Sequence, residues 1–377
     1  MLVFGTRPEA IKMATLVYAL KAQPSKFKVQ ICVTAQHRQM LDQVLKIFKI
    51  KPDIDLNLMT QRQDLFDITS SILSAMRNVL VKHKPDIVLV QGDTTTTLAT
   101  SIASFYMRIP IGHIESGLRT FNINSPFPEE FNRQISSRVA NWHFAPTELC
   151  KNNLLAEGVK SENITITGNT VVDSLNWILA RIDRDANLRK SIEKTIDSIL
   201  SFDWRTKKFI LITGHRRENF GDGFISICAA IKKIALRYDN IHFVYPVHLN
   251  PNVQKPVNNF LTGAQNIHLI KPQEYEIFIY LMKKSYFILT DSGGIQEEAP
   301  SLGKPVLVMR DATERAEAIQ AGTAALVGSS KKNIIDGVSR LLNDNVLYKN
   351  MLIAKNPYGD GQACKRILKV LNKITQK

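Results

Sequence analysis

Ile87-Val88-Leu89-Val90-Gln91-Gly92-Asp93-Thr94-Thr95-Thr96-Thr97-Leu98 runs from an apolar, β-branched stretch straight into a polar turn and then into a helical pattern. Short runs of this kind, bounded by turn residues and alternating with helices, are how a parallel sheet reads from sequence. The unit recurs on both sides. Leu2–Phe4, Val29–Val33, Ile109–Ile114 and Ile164–Thr167 join Ile87–Val90 as expected strands of one sheet. Leu65, Ile68, Ile72, Met76 and Val79 recur at helical spacing and form the apolar stripe of a crossover helix. Beyond residue 180 the chain becomes charged, with Arg181, Asp183, Arg184, Asp185, Arg189 and Lys190, and the rhythm then restarts. Phe209–Thr213, Ile241–Tyr245, Ile267–Ile270, Tyr286–Thr290 and Pro305–Met309 read as a second sheet, and the stretch from Asp360 to Lys377 reads as a closing amphipathic helix. The expected fold class is therefore α/β, with two Rossmann-like, doubly wound domains at 1–180 and 181–355 facing a cleft, and a terminal helix at 356–377.

Length agrees, because 377 residues exceed what one hydrophobic core usually sustains. No stretch approaches the roughly 18 apolar residues that span a bilayer, and no signal peptide is visible, so a soluble, cytoplasmic protein is expected. Cys32, Cys150, Cys228 and Cys364 are far apart and form no CxxC pair, which fits a reducing compartment and argues against a disulfide framework or a cysteine zinc site. A net charge of +15 suits an anionic partner. The basic residues are scattered rather than gathered into an arm with interleaved aromatics, so a phosphate-bearing small molecule is the expected partner, not nucleic acid and not a membrane. A lysine-rich proteome is the alternative explanation of the charge.

Ligands of such sheets sit outside the carboxyl ends of the strands, and the polar clusters fall there. They are Gly5-Thr6-Arg7-Pro8-Glu9, Gln91-Gly92-Asp93-Thr94 and Glu115-Ser116-Gly117-Leu118-Arg119 in the first half, and Gly214-His215-Arg216-Arg217-Glu218 and Asp291-Ser292-Gly293-Gly294 in the second. The last of these follows an apolar strand and opens a helix, a setting that suits a diphosphate. It also suits an ordinary helix capped by Asp291 or Ser292. Glu298, a turn further on, is placed to accept from ribose hydroxyls, and Arg7 and His215 to balance phosphate charge. There is no GxGxxG fingerprint and no GxxxxGK loop, so neither NAD nor P-loop chemistry is advertised and no cofactor is expected. No His, Cys or carboxylate set shows metal-ligand spacing, so no metal is expected either.

Asp93, Glu115 and Glu129 each stand just past an expected strand or at a helix start. Three carboxylates around one substrate supply the acid and base groups that proton transfer at carbon requires, and crowding with burial would raise the pKa of at least one. Other readings exist: Asp93 as a helix N-cap, Glu115 paired with Arg119 and Glu129 with Arg133 at i+4, and His113 as a core or supporting histidine.

FGTRPEAIKM (4–13), TAQHRQMLDQVL (34–45), GDTTTTLA (92–99), HIESGLRT (113–120), PFPEEFNRQ (126–134), TGHRRENFG (213–221), YPVHLNP (245–251), LTDSGGIQEEAPSLGKPVLVMRDATER (289–315) and NPYGDGQA (356–363) together resemble the non-hydrolysing UDP-N-acetylglucosamine 2-epimerases, from end to end and in the family's order. The resemblance implies a fold like that of the GT-B glycosyltransferases, a homodimer, and a C-terminal helix that crosses back to the first domain. It implies reversible inversion of carbon 2, in which UDP leaves to give a 2-acetamidoglucal and re-adds after the proton returns on the other face, supplying cell-surface polysaccharide synthesis. Asp93, Glu115 and Glu129, with Arg133 and His215 beside them, match the family's catalytic positions. Arg7, Lys12, Gln273, Phe278, Ser292, Gly293, Glu298 and Arg315 match the UDP-binding ones. Gln36, His37, Gln39, Arg62, Gln63, Arg216 and His248, otherwise readable as solvated loop residues, match positions that in bacterial members bind a second UDP-N-acetylglucosamine as activator. The hydrolysing relative, a retaining glycosyltransferase of the same fold and a catalytically silent UDP-sugar sensor are the competing readings. The chain departs from the family's usual pattern at Ser116, Ala14-Thr15 and Ala316, and in the short lead before Gly5, which points to a clipped start.

Overall fold

In a computed structural model, which describes residues 1–35, 38–60 and 63–375, all strand pairing is parallel. The first sheet contains β1 (Leu2–Phe4), β2 (Ile31–Val33), β3 (Ile54–Asp55), β4 (Val88–Gln91), β5 (Ile111–Ile114), β6 (Trp142–Ala145) and β7 (Ile164–Ile166), in the order β3-β2-β1-β4-β5-β6-β7. The central strands β1, β2, β4 and β5 are buried along their whole length, as parallel strands covered by helices on both faces must be. The second sheet contains β8 (Phe209–Thr213), β9 (His242–Pro246), β10 (Ile267–Ile270), β11 (Phe287–Thr290), β12 (Val306–Val308) and β13 (Ala324–Leu326), in the order β10-β9-β8-β11-β12-β13.

The chain divides into two compact units, Met1–Trp177 with Tyr358–Lys377, and Ile178–Pro357. The dividing point lies inside the helix Thr170–Arg184, and the charged stretch after residue 180 continues through that helix into Ala186–Ile199. Each unit has its own core. Val3, Cys32, Met76, Val88 and Val90 meet in the first, and Ile210, Phe224, Phe243, Phe287 and Val338 in the second.

The segment from Tyr358 onward is held in the first unit by specific bonds. Asn169 N donates to the Tyr358 carbonyl at 2.7 Å. Asp173 accepts from Ala363 N and Cys364 N at 3.1 and 2.9 Å, so a carboxylate distant in sequence caps the first turn of the helix Ala363–Ile374. Thr15 Oγ1 lies 3.3 Å from Cys364 Sγ, which joins that helix to Arg7–Lys21.

Of the expected elements, the crossover helix forms as Leu65–His83, with Ile72, Met76 and Val79 buried and Leu65 exposed at its first position. No helix among the described residues is long and apolar enough to cross a membrane. In each sheet the strand order reverses once, between β1 and β4 and between β8 and β11. The turns leaving these strands hold four of the polar clusters, and the turn leaving β5 holds the Glu115–Arg119 cluster.

Candidate active site

β5 ends at Ile114, and Glu115 follows with a left-handed backbone, φ 61°. A residue with a Cβ occupies that region at a cost on the order of 1–2 kcal/mol, so tertiary contacts must hold it there. Lys12 Nζ pairs with Glu115 Oε2, and Gln91 Nε2 and Asn169 Nδ2 donate to the same oxygen at 2.9 and 3.1 Å. These partners come from the helix Arg7–Lys21, the last position of β4 and the turn after β7, and Glu115 itself is buried. A cation and two amide donors favour the ionised carboxylate and orient it. Lys12, expected among the UDP-binding residues, is thus directed onto Glu115. It is buried on the second turn of its helix.

Asp93 sits in the turn after β4. Arg133 Nη2 donates to its Oδ2 at 2.5 Å, and Asn132 Nδ2 to its backbone carbonyl at 2.9 Å. Both partners lie on the helix Glu129–Val139, whose buried Glu130 accepts from Thr120 N and Phe121 N at 3.0 and 3.2 Å and fixes the approaching loop. Glu129, at the first position of that helix, is half-buried, and its side chain makes no hydrogen bond or ion pair among the described residues. The bland alternatives fail on geometry. Arg119 pairs with Glu157 at 2.6 and 2.8 Å rather than with Glu115, Arg133 goes to Asp93 and Glu130 rather than Glu129, and Thr94, not Asp93, caps the helix Thr95–Tyr106. The carboxyl whose pKa burial raises in this region is Glu9, in the first turn of the helix Arg7–Lys21. His113 is a supporting residue: it is fully buried, bonds Gly92 and has its pKa pushed down to about 3 by burial.

The second unit carries a different set. Asp291 is buried and its Oδ2 accepts His215 N and Arg216 N, both at 2.9 Å, so this carboxylate binds the turn after β8 to the end of β11 instead of capping the helix Gly293–Glu298. His215 stacks on His248 with ring centroids 5.2 Å apart and planes 16° apart. Arg315 donates to Glu297 and Glu314, and Arg310 to Glu218 and Glu314. Burial pushes the Glu314 carboxyl up, but Arg315, Arg310 and Arg216 together outweigh it and hold the group well below the usual carboxylate range. A Cβ on Gly293 would lie 3.3 Å from Arg315 Cζ and from Glu314 Oε1, so only glycine leaves that backbone open beside the guanidinium groups. Ser292 is the N-cap residue of the same helix.

Glu298 is oriented by Tyr275, whose hydroxyl donates to it at 2.6 Å. Phe278 lies on the same helix, Tyr275–Lys284, and Gln273 just before it bonds the Lys271 carbonyl. Tyr275 and Asn169 were missed by sequence reasoning, since neither belongs to a charged or glycine-rich motif, and Gln91, though inside the Gln91–Thr94 cluster, gave no sign of its bond to Glu115.

Arg7 and Lys12 belong to the first unit, and the remaining UDP-binding candidates to the second. Among the activator candidates, Gln36, His37 and Arg62 lie outside the described residues. Gln39 is exposed on the helix Arg38–Ile47, and Gln63 closes its own loop through Thr60 N and the Leu58 carbonyl. Arg216 Nη2 is 4.0 Å from Glu314 Oε1 and His248 stacks on His215, so these two join the glycine-rich end.

Two parallel-sheet units, one presenting carboxylates and the other a glycine-rich turn ringed by arginines, define an α/β enzyme of the GT-B-like class. The family model for UDP-N-acetylglucosamine 2-epimerase matches residues 18–372. A UDP-N-acetylglucosamine 2-epimerase of Yersinia pestis is 57% identical over 98% of this chain and 97% of its own, and one of Campylobacter jejuni is 56% identical over 99% and 97%. The crystal structure of UDP-GlcNAc 2-epimerase from Neisseria meningitidis bound to UDP-GlcNAc superimposes with a TM-score of 0.93, at 52% identity over 99% of both chains. The chain belongs to the UDP-N-acetylglucosamine 2-epimerase family, and it is an epimerase.

Proposed function

We propose that the enzyme interconverts UDP-N-acetylglucosamine and UDP-N-acetylmannosamine, with UDP leaving to give 2-acetamidoglucal and re-adding before release. The observation that carries this reading is the pair of differently partnered carboxylates at one rim of the first sheet. Glu115 accepts from Lys12, Gln91 and Asn169 on one oxygen, while Asp93 is paired through one oxygen to Arg133. The C2 proton of the resting sugar is not acidic. It becomes so as the bond to UDP stretches and positive charge grows at C1, so groups that neutralise the departing diphosphate also activate the proton. The second unit supplies them: Ser292 and Gly293 at the helix start, Arg315 and His215 around it, with Glu298 for the ribose and Gln273 and Phe278 for the base. Arg7 adds charge from the first unit. Asp93, Glu115 and Glu129 then exchange protons at C2 on the two faces of the sugar. Water must be kept from the glucal, which a hydrolysing relative would not do. The product would feed transferases that build surface polysaccharide.

Incubation with UDP-N-acetylglucosamine in heavy water, followed by NMR, tests this directly. Deuterium at C2 with UDP still attached is expected. Free N-acetylmannosamine and UDP would select the hydrolysing reading, and binding without exchange the silent sensor. Asp93→Asn, Glu115→Gln and Glu129→Gln should each lower kcat by at least about a hundredfold with UDP affinity nearly intact, and wild-type-like turnover in any two would sink the trio.

The position of Arg216 and His248 beside Gly293 and His215 supports a second UDP-N-acetylglucosamine as activator. The reverse reaction from pure UDP-N-acetylmannosamine should then show a lag that a trace of UDP-N-acetylglucosamine removes. Hyperbolic kinetics with no lag would remove the activator.

A further inference from the structure

Two buried polar groups take no part in the chemistry proposed above, yet both end on the turn that carries Asp93. His113 lies within β5, and its Nε2 meets the Gly92 carbonyl oxygen at 2.7 Å. A carbonyl only accepts, so Nε2 carries the proton and the ring is a donor there. Its Nδ1 has no hydrogen-bond partner among the described residues, which leaves the Gly92 carbonyl as the polar contact that orients the ring. The second group is Glu9, on the helix Arg7–Lys21. Its Oε2 accepts from Gly5 N and Thr6 N at 3.1 and 2.8 Å, which is ordinary capping of its own helix. Its Oε1 accepts the Thr94 hydroxyl at 2.8 Å, and that bond serves no purpose in capping Arg7–Lys21 because it reaches to the neighbouring strand's turn.

Gly92 and Thr94 flank Asp93. Gly92 N–H makes the last bond to β5, to the Ile114 carbonyl at 2.9 Å, and with φ 69° the backbone reverses there, so Asp93 lies past the ladder and its course depends on side-chain anchors. Thr94 is in turn the N-cap of Thr95–Tyr106, which ties the far end of the turn to a helix. We propose that His113 and Glu9 are positioning residues that clamp the Gly92–Thr94 turn from its two ends and thereby aim the Asp93 carboxylate at the sugar. The inference rests on Asp93 being an acid/base group, as proposed above. Reacting atoms must be held in near-attack geometry, and a displacement of about 1 Å costs on the order of a hundredfold in rate. The clamp acts on the acid and not on the nucleotide, so its loss belongs in kcat and not in UDP affinity.

A double-mutant cycle on the full-length enzyme tests the clamp. His113→Leu removes the donor and leaves the Gly92 carbonyl buried without its partner, while His113→Gln returns an amide N–H near the same place. His113→Leu should lower kcat by about 30- to 100-fold with KM and the UDP dissociation constant within about twofold of wild type, and His113→Gln should recover most of the rate. Added to Asp93→Asn, His113→Leu should cost almost nothing more, since it acts through the group already lost. Thr94→Val breaks the other end of the clamp and should show the same split of kcat from KM. It also stands in if His113→Leu does not fold. Asp93→Asn turning over like wild type would sink the acid/base assignment itself. Asp93→Asn inactive, with His113→Leu or Thr94→Val either as fast as wild type or additive with it, would sink the clamp and leave the assignment standing.

Discussion

Glu115 reaches its place through a backbone conformation that glycine would adopt more readily, and it stays there because Lys12, Gln91 and Asn169 converge on one oxygen. The residue type was legible from its place after a strand, but its partners were not, because they come from three other segments. The same holds for Arg133, whose spacing suggested Glu129 and whose structure chose Asp93. At His113 the effect of burial falls on a single residue. Its ordinary pKa of 6.5 is lowered to about 3 in the folded chain. Between those values the unfolded chain binds a proton that the folded chain refuses, so this residue's contribution to stability is present above pH 6.5 and lost as pH falls below it. Denaturant titrations should therefore show wild type losing about 2 kcal/mol more than His113→Gln between pH 7 and pH 5. Parallel loss in the two proteins would mean that His113 is protonated in the native state.

Among the elements, strands with three or more β-branched or long apolar residues and turn residues at both ends were visible in the sequence. β3 is two residues at an exposed edge and β13 contains two alanines, so each forms by pairing with a neighbour rather than by its own preference, whereas β6 holds a tryptophan and a phenylalanine that suit a strand but, with a histidine between them, gives no apolar run to read. The terminal helix Ala363–Ile374 shows the same dependence. Its apolar face was legible, with Ile367 and Leu371 buried, but its cap was not, because the carboxylate comes from Asp173 on another helix. Asp173→Ala should lower stability by about 1–3 kcal/mol, read as a fall in Tm, since two N–H groups at a buried helix start lose their acceptor. Turnover at 25 °C should be unchanged in the folded fraction. A Tm equal to wild type would show that another group or water replaces the cap.

At the scale of the whole molecule, the first unit is assembled from two stretches of chain that enclose the second in sequence, Met1–Trp177 and Tyr358–Lys377. The residues proposed for proton transfer lie in the first unit, and those proposed for the nucleotide lie largely in the second. The chemistry proposed above asks for no redox cofactor or metal, because each group proposed for proton transfer or for neutralising the diphosphate is a side chain or backbone amide. The purified enzyme should hold full activity in EDTA and release no NAD on denaturation. Loss of turnover on chelation, restored by adding a divalent metal, would overturn that expectation.

Local chemistry read along the chain was enough for the parallel α/β class, for most central strands and for the turns that carry Asp93, Glu115, Ser292 and Gly293, because periodicity and turn residues act over a few positions. Tertiary structure alone decided which groups face each other: Lys12 on Glu115, Arg133 on Asp93, Glu9 on Thr94, Asp291 on the turn after β8 and Tyr275 on Glu298. These pairs join residues that only the packing of strands and helices brings within a few ångströms, and a hydrogen bond acts through space without leaving a trace in sequence spacing.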